Sequence, residues 1–375
     1  MNNSVELGNV IEISKGKKAE QIFLTKENRS SVIRYLQIDD LRNDSNIKFT
    51  NINGGVLVNK KDLIIAWDGA NAGTVGYNLE GVIGSTLARL RIKSNSFDSN
   101  YLAKFLQSKF KYLRSQCTGA TIPHISKSVL TKLKVPSPPL PEQKRIADIL
   151  DKADSIRQKR KESIALLDEF LKSVFIDMFG DPVRNEKGWE VKKLSYFGDW
   201  NSGGTPHRAK KEYYVGNIPW FSSGELNQMY LDESEEKINI KAIKESAAKI
   251  IKPNSLLLGM YDTAALKSSI TIKNSACNQA IAFSDLCKNK NEILYLYHSI
   301  QIGRNYFRSQ QRGVRQKNMN LSMIKNLLIP NPPIILQTQF AKIVEQVEAT
   351  RSKMEESLRE MDNQFNALMQ RAFNS

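Results

Sequence analysis

The chain has 375 residues, 41% of them hydrophobic, and carries 55 Lys and Arg against 39 Asp and Glu, a formal net charge of +16. That length exceeds one ordinary core and predicts two domains, and so large a positive excess points to nucleic acid ahead of an acidic protein or a membrane surface. No run approaches the ~18 apolar residues needed to cross a bilayer, MNNSVELGN has neither the basic nor the apolar region of a signal peptide, and three cysteines (Cys117, Cys277, Cys287) with no CxxC pair fit a reducing, cytoplasmic compartment rather than a disulfide framework or zinc knuckle.

In chain order, VELGNVIEISKGK (5–17), VIRYLQIDDL (32–41) and KKDLIIAWDGA (60–70) read as short strands entering turns, an irregular α/β globule. Residues 99–141 then hold seven Lys and Arg and no Asp or Glu. PSPPLPEQKRIADIL (136–150) is a proline spacer opening a long helix over 142–179, because the prolines cannot continue a helix backwards. About 38 residues would span roughly 57 Å at 1.5 Å per residue. Its eight acidic and eight basic side chains cancel, so the QKRK run at 158–161 reads as a solvated face. A second globule follows, with VKKLSYFGDWNSG (191–203), NIPWFSSGEL (217–226) and KPNSLLLGMYDT (252–263) matching the three earlier stretches in pattern. Residues 293–344 again hold seven Lys and Arg and no acid, and PNPPIILQTQFAKIV (330–344) opens a second long helix.

The chain is therefore written twice. Shifting 119–180 by 194 places it on 313–374 without a gap, with 15 of 62 positions identical, where background composition would give about four. Pro136/Pro330, Pro138/Pro332, Pro139/Pro333, Gln143/Gln337, Arg157/Arg351, Lys159/Lys353, Asp168/Asp362 and Phe179/Phe373 are among them. Each helix carries an apolar seam at spacings of three and four. Its expected members are Gln143, Ile146, Ile149, Ala153, Ile156, Leu167, Leu171, Val174 and Met178, then Gln337, Phe340, Ile343, Val347, Met354, Met361, Phe365, Leu368 and Ala372. These are candidates for the helix seam and for docking other subunits.

Lys and Arg neutralise phosphates, and Arg, Gln and Asn can bond base edges in pairs. The candidate DNA contacts in the first half are Lys17, Arg34, Lys109, Lys111, Arg114, Thr121, His124 and Lys127. In the second half, GGTPHRAKKEYY gives Thr205, His207, Arg208, Lys210, Lys211 and Tyr214, and GRNYFRSQQRGVRQKN gives Arg304, Arg308, Gln311, Arg312, Arg315, Gln316 and Lys317. If Arg312 or Arg315 reads a base, its loss should weaken specific binding by roughly 1–3 kcal/mol. Docking of these strips on an acidic protein is the competing reading.

Catalytic motifs are weak. NPPI (331–334) lacks the aromatic that an amino-methyltransferase stacks on a flipped base, and its repeat partner SPPL is a spacer. Asp181 with Glu190 and Lys192 only imitates a nuclease site, no GxxxxGK[ST] loop occurs, and His124, His207 and His298 are scattered. The chain reads as non-catalytic, with no catalytic, cofactor or metal residues of its own.

The runs VPSPPLPEQKRIADILDKAD, FIDMFGDPVRNEKGWEVKKL and GGTP, and the second copy PNPPIILQTQFAKIV, together resemble the specificity subunits of type I restriction–modification systems. The second copy departs at Ile335 and Leu336, where the first has Pro141 and Glu142 by position in the helix entry. The resemblance implies an α/β (α+β) fold of two irregular target-recognition domains, 1–138 and 183–332. Between and after them come a central spacer helix, 139–182, and a distal helix, 333–375, packed as an antiparallel coiled coil with a pseudo-twofold repeat. It implies a non-catalytic subunit in a bacterium or archaeon, each recognition domain reading half of a bipartite duplex target. Two adenine-N6 methyltransferase subunits would supply AdoMet chemistry, and two motor-nuclease subunits ATP and Mg. A basic coiled-coil scaffold binding DNA without sequence preference is the alternative.

Overall fold

The structure is a computed structural model that describes residues 4–25, 32–51, 55–119, 121–261, 264–287, 289–309 and 318–373. It divides into two compact units, 1–161 with 356–375, and 162–355.

In the first unit, Ser4–Glu6 pairs antiparallel with Lys134–Pro136, Val5 lying opposite Val135. One four-stranded sheet runs in the order Ile11–Lys15, Leu87–Ile92, Leu63–Ala66, Val75–Gly76, and another in the order Lys48–Asn51, Val32–Leu36, Gly81–Ile83, Val56–Val58. All four residues of Leu63–Ala66 are buried, which is why this strand is written as a continuous apolar run rather than an alternating one. The helix Ser99–Ser108 starts where Asp98 accepts a hydrogen bond from the Tyr101 amide at 3.0 Å, an N-cap of the usual kind. Its Tyr101, Leu102, Phe105 and Leu106 join Leu63, Ile65 and Leu90 in one core.

The second unit repeats this plan. Val191–Lys193 pairs with Leu328–Pro330, a five-stranded sheet runs Gly198–Ser202, Ile281–Leu286, Leu256–Gly259, Ser268–Thr271, Tyr230–Leu231, and a three-stranded sheet runs Glu236–Ile238, Ile218–Phe221, Ala276–Cys277. The longer helix Ile293–Ser309 takes the place of Ser99–Ser108.

The repeat extends well beyond the helices. The Tyr101 hydroxyl donates to the Pro136 carbonyl at 3.0 Å and the Tyr295 hydroxyl to that of Pro330 at 2.7 Å. Tyr35 pairs in parallel with Val82, and Trp220 with Ala276, so 32–41 does correspond to 217–226. The match of 5–17 to 191–203 needs a shift of one residue. The Leu7 amide donates to Leu133 and the Leu194 amide to Leu327, so Leu7 corresponds to Leu194 and not to Lys193. Polarity alternates in both segments, and pattern alone could not fix the register.

Two 40-residue helices, Leu140–Phe179 and Ile334–Phe373, carry the remaining repeat. Pro141 sits in the first turn, where its missing N–H costs nothing. Gly180, at φ +77°, ends the first helix. The Trp189 indole donates to the Phe179 carbonyl at 2.9 Å, and Asp181 accepts from the amides of Val183 and Arg184. Asp181 is thus a turn residue, and Lys192 pairs with Glu190 beside it.

Within each unit the two helices lie antiparallel. In the first, Ala147 and Leu150 share a core with Met369 and Phe373, and Phe373 packs 5.3 Å from Tyr101 and 5.7 Å from Phe105. In the second, Leu171, Phe175 and Phe179 pack with Phe340, Val344 and Val347, Phe175 and Phe340 being 5.4 Å apart. On the central helix the expected Leu171 is fully buried and Ile146 and Leu167 pack against the cores, but part of the expected seam lies off the packed stripe. Ile149 and Ile156 are 39% and 55% exposed, Val174 and Met178 are half-buried at the margin, and Ala147, Leu150, Phe175 and Phe179 fill the interior. The cause is Arg157, which takes a seam position by laying its guanidinium 4.3 Å from the centre of the Phe365 ring. A long polar side chain can bury its stem and face an aromatic ring, so apolar identity alone misplaced that part of the seam. On the distal helix Phe340, Ile343, Val347, Met354, Met361, Phe365, Leu368 and Ala372 are all buried or half-buried.

Candidate nucleic-acid interface

Equivalent turns position the candidate segments. Strand Ile11–Lys15 ends at Gly16, where a Cβ would lie 2.2 Å from the Gly84 carbonyl oxygen. At the matching place after Gly198–Ser202, a Cβ on Gly203 would lie 2.3 Å from the Cys277 oxygen. Only glycine lets the backbone pass this close. Exposed Lys17 follows the first turn, and Thr205 to Tyr214 follow the second.

Around Asp68 and Gly69 the first unit gathers three cationic or titratable groups. Lys15 Nζ is 2.8 Å from Asp68 Oδ2, His124 Nδ1 is 2.6 Å from Asp68 Oδ1, and Arg114 Nη1 donates to the Gly69 carbonyl at 3.1 Å. Burial, the largest influence, pushes the Asp68 carboxyl upward, but the hydrogen bonds and charges of Lys15 and His124 outweigh it and hold Asp68 below the usual carboxylate range. The carboxylate engages Nδ1 of His124 and fixes the orientation of the ring. His124 also pairs with Thr118 through backbone bonds of 2.7 and 3.0 Å. Thr121 and Lys127 are exposed close by in sequence, and Lys111 is exposed on Phe110–Ser115. This face combines charge, an oriented imidazole and a loop held by paired backbone bonds.

In the second unit Asn318 bridges Tyr261 as His124 bridges Asp68. Arg308, 194 residues after Arg114, has its Nε buried with no hydrogen-bond partner among the described residues. Arg304 Nε donates to the Ala265 carbonyl at 3.1 Å, and burial followed by the neighbouring charge of Arg308 lowers its pKa. Gln311, Arg312, Arg315, Gln316 and Lys317 lie outside the described residues.

Several candidates are committed within the fold. Arg34 closes on Asp40 at 2.7 Å and on Asp44 at 2.5 Å, so its charge is met internally. Arg208 donates to both Glu236 oxygens at 2.6 and 2.8 Å and lies over the rings of Tyr214 and Trp220 at 4.7 and 4.9 Å. Tyr214 donates to the Pro206 carbonyl, and Lys210 to the Tyr213 hydroxyl, both at 2.7 Å. Thr205 bonds Gln279. The GGTP turn is thus largely knitted to itself, with His207 and Lys211 exposed. Lys109 is half-buried over Phe105, and burial lowers its pKa. The strip at 99–141 is likewise not uniformly available, because Lys104 is only 1% exposed against Asp151, and Lys134 pairs with Glu6.

The strand, turn and helix scaffold beneath these residues recurs in both halves, and comparison with known proteins places that duplication. A family described as the type I restriction modification DNA specificity domain matches residues 2–166 and again 186–360. The chain belongs to this family. It is 33% identical over 212 residues, 53% of its length, to the MjaVIII type I restriction enzyme specificity subunit of Methanocaldococcus jannaschii, and 25% identical over 66% of its length to the MjaIX subunit of the same organism. These alignments span 49% and 63% of those relatives. The EcoBI specificity subunit of Escherichia coli aligns over 92% of the chain and 80% of itself at 20% identity. A type I restriction–modification S subunit from M. genitalium shares the fold with a TM-score of 0.59 and 14% identity, covering 99% of this chain and 96% of that one. A structure described as showing complex assembly and conformational transition of the type I R-M system gives 0.62 at 17% identity, covering 99% and 97%.

Sequence reasoning did not single out Lys15 and Asp68, which organise the first loop cluster. Their signal was slight: a lysine just before the required Gly16, and an aspartate in the AWDGA turn. Among the described residues no group of three or more His, Cys, Asp or Glu could hold a metal ion, and no helix is long and apolar enough to cross a membrane.

Proposed function

We propose that this chain is the non-catalytic, cytoplasmic DNA-specificity subunit of a type I restriction–modification complex. Each globule, 1–138 and 183–332, reads one half of a bipartite duplex, and the helices at 139–182 and 333–375 set the unread gap and dock two adenine-N6 methyltransferase subunits. Two motor-nuclease subunits join through these. The chain binds no cofactor: AdoMet belongs to the methyltransferase, ATP and Mg to the motor. The observation that carries the reading is the duplication of matched hydrogen bonds from Leu7/Leu194 to Gln143/Gln337, because two like readers in one chain suit the two halves of a bipartite target. Arg114, Thr121, His124 and Lys127 with Lys17 and Lys111 serve one half-site; His207, Lys211, Arg304 and Arg308 serve the other.

The test is a map of N6-methyladenine across the host genome with the gene present and deleted. Loss of one bipartite motif of constant gap is the expected result. If no motif changes, binding by the purified assembly decides, and affinity indifferent to sequence and abolished by moderate salt would leave only a scaffold.

A further inference from the structure

The two units differ sharply at one buried place. In the first, Lys104 Nζ lies 2.8 Å from Asp151 Oδ1 and 3.9 Å from Asp154 Oδ2, and 5.3 Å from the centre of the Tyr77 ring. The Tyr77 hydroxyl donates to the same Asp151 oxygen at 2.7 Å. An alkyl ammonium is thus enclosed by two helix carboxylates and an aromatic face, a favourable setting for a desolvated cation.

In the second unit, 194 residues on, the carboxylates persist as Glu345 and Glu348, but the lysine has become His298. Ile270 stands where the first unit has Tyr77, and Tyr230 on the adjoining strand pairs with it. Tyr230 is half-buried, and after burial itself the charges of Glu348 and Glu345 raise its pKa, which places it in their field. His298 is 8% exposed and its Nε2 has no hydrogen-bond partner among the described residues. Beside it opens a cleft of about 900 Å³, lined by Tyr230, Tyr297, His298, Asp168, Glu348 and Glu355, among others. Arg351 is shared between Asp168 and Glu348, and Lys172 also lines the wall.

We propose that this cleft binds the ammonium end of an alkyl amine, which replaces in the second unit the cation that Lys104 builds into the first. The imidazole is too short to reach the position of a lysine ammonium, so Glu348 and Tyr230 remain along the wall with open space between them and the ring. A neutral ring suits the role, since it adds no repulsion and its unpartnered nitrogen can accept from the incoming N–H. Burial does keep His298 uncharged, lowering its pKa to about 4 against a lesser opposing effect of Asp168. The net charge of +16 disfavours casual amine binding elsewhere, so saturable uptake would be local. The inference goes beyond DNA recognition and is read without DNA.

The test is a titration of the full chain with cadaverine, followed by calorimetry and by the Cε1–H signals of its three histidines. Saturable binding that moves the His298 signal alone is expected. It should weaken at least tenfold in Glu348→Gln and vanish in His298→Lys, which supplies its own ammonium. No movement of the His298 signal, or equal movement of all three, overturns the proposal; so does wild-type binding by His298→Lys. Should that variant fail to fold, 1-pentanol decides, since binding equal to cadaverine would show an apolar cavity with no amine preference. An Nα-acetyl-lysine amide separates the sources: binding equal to cadaverine assigns the cleft to a protein partner's lysine, and binding by the diamine alone to a free polyamine.

Discussion

The first unit buries a charged lysine where the second buries a neutral histidine, on otherwise matching helices. Lys104 is held charged: burial, the largest effect, lowers its pKa, but hydrogen bonds and charge from Asp151 and Tyr77 outweigh it and raise it overall. His298 has burial with little against it and is held neutral. The difference teaches that duplication conserved the backbone and the polar fixings of the helices while each unit solved its own buried electrostatics. The largest effect expected from breaking this comparison is at Lys104. Lys104→Ala should destabilise the first unit by about 3 kcal/mol, toward the low end for a broken buried pair because Asp151 retains some solvent. Urea unfolding with hydrogen exchange at Ser99–Ser108 reads the loss, and an unchanged midpoint would show the pair to be incidental.

The His298 half of the comparison is sharpened by pH. The folded pKa of about 4 lies below the ordinary 6.5, so between these values the unfolded chain binds a proton that the folded chain refuses. Stability at this site is therefore full above pH 6.5, falls as pH drops toward 4, and changes no further below. The accumulated loss is roughly 3 kcal/mol at 1.36 kcal/mol per unit. Comparing urea midpoints of wild type and His298→Gln at pH 7 and 4.5 isolates it from the carboxylates. Equal pH slopes would show that His298 is not buried neutral.

Where the units agree, the expected effects should agree too. Gln143 and Gln337 are both fully buried. Gln143 donates to the carbonyls of Ser96 and Pro138 at 3.0 and 2.9 Å and accepts from the Asp98 amide at 2.9 Å. Gln337 donates to Pro332 at 2.8 Å and accepts from the Glu292 amide at 3.0 Å. Each ties the helix entry to the start of the globule's own helix. Replacing either by Leu strands buried partners and should cost about 2 kcal/mol, somewhat more at Gln143, which makes one more bond; thermal unfolding of the two variants checks this.

Much of this was legible in the sequence, and for a physical reason. Gln143/Gln337, Arg157/Arg351 and Asp168/Asp362 survive in both copies, and they prove to be the buried entry ties and the ion pairs between helices. A bond that needs one side-chain length at one register tolerates little change, so it shows as identity. The apolar seam was misread on the central helix at Ile149 and Ile156, because an arginine, Arg157, fills a core place that apolar identity alone does not reveal. The recognition surface was least legible. Charge counting treated Lys104, Lys134, Arg34 and Arg208 as available cations, and a linear sequence does not show that Asp151, Glu6, Asp40 and Glu236 meet them.

The smallest effects belong to the paired helix bridges, and they discriminate most finely between the units. Arg157 meets Asp362 at 2.6 Å and Asp154 at 2.7 Å; Arg351 meets Asp168 at 2.6 Å and Glu348 at 3.0 Å. The two networks are images of each other under the 194-residue repeat, but Asp362 and Asp168 are 38% and 75% exposed, and among the described residues Arg157 but not Arg351 lies over an aromatic ring, that of Phe365. Solvent screening should leave Arg351→Ala costing about 0.5–1 kcal/mol, and the ring contact should raise Arg157→Ala to about 1–2 kcal/mol. Because the stacked part is not ionic, 1 M salt should shrink the Arg351 effect more than the Arg157 effect. Equal costs with equal salt dependence would mean that charge alone holds both bridges and that the Phe365 contact adds nothing.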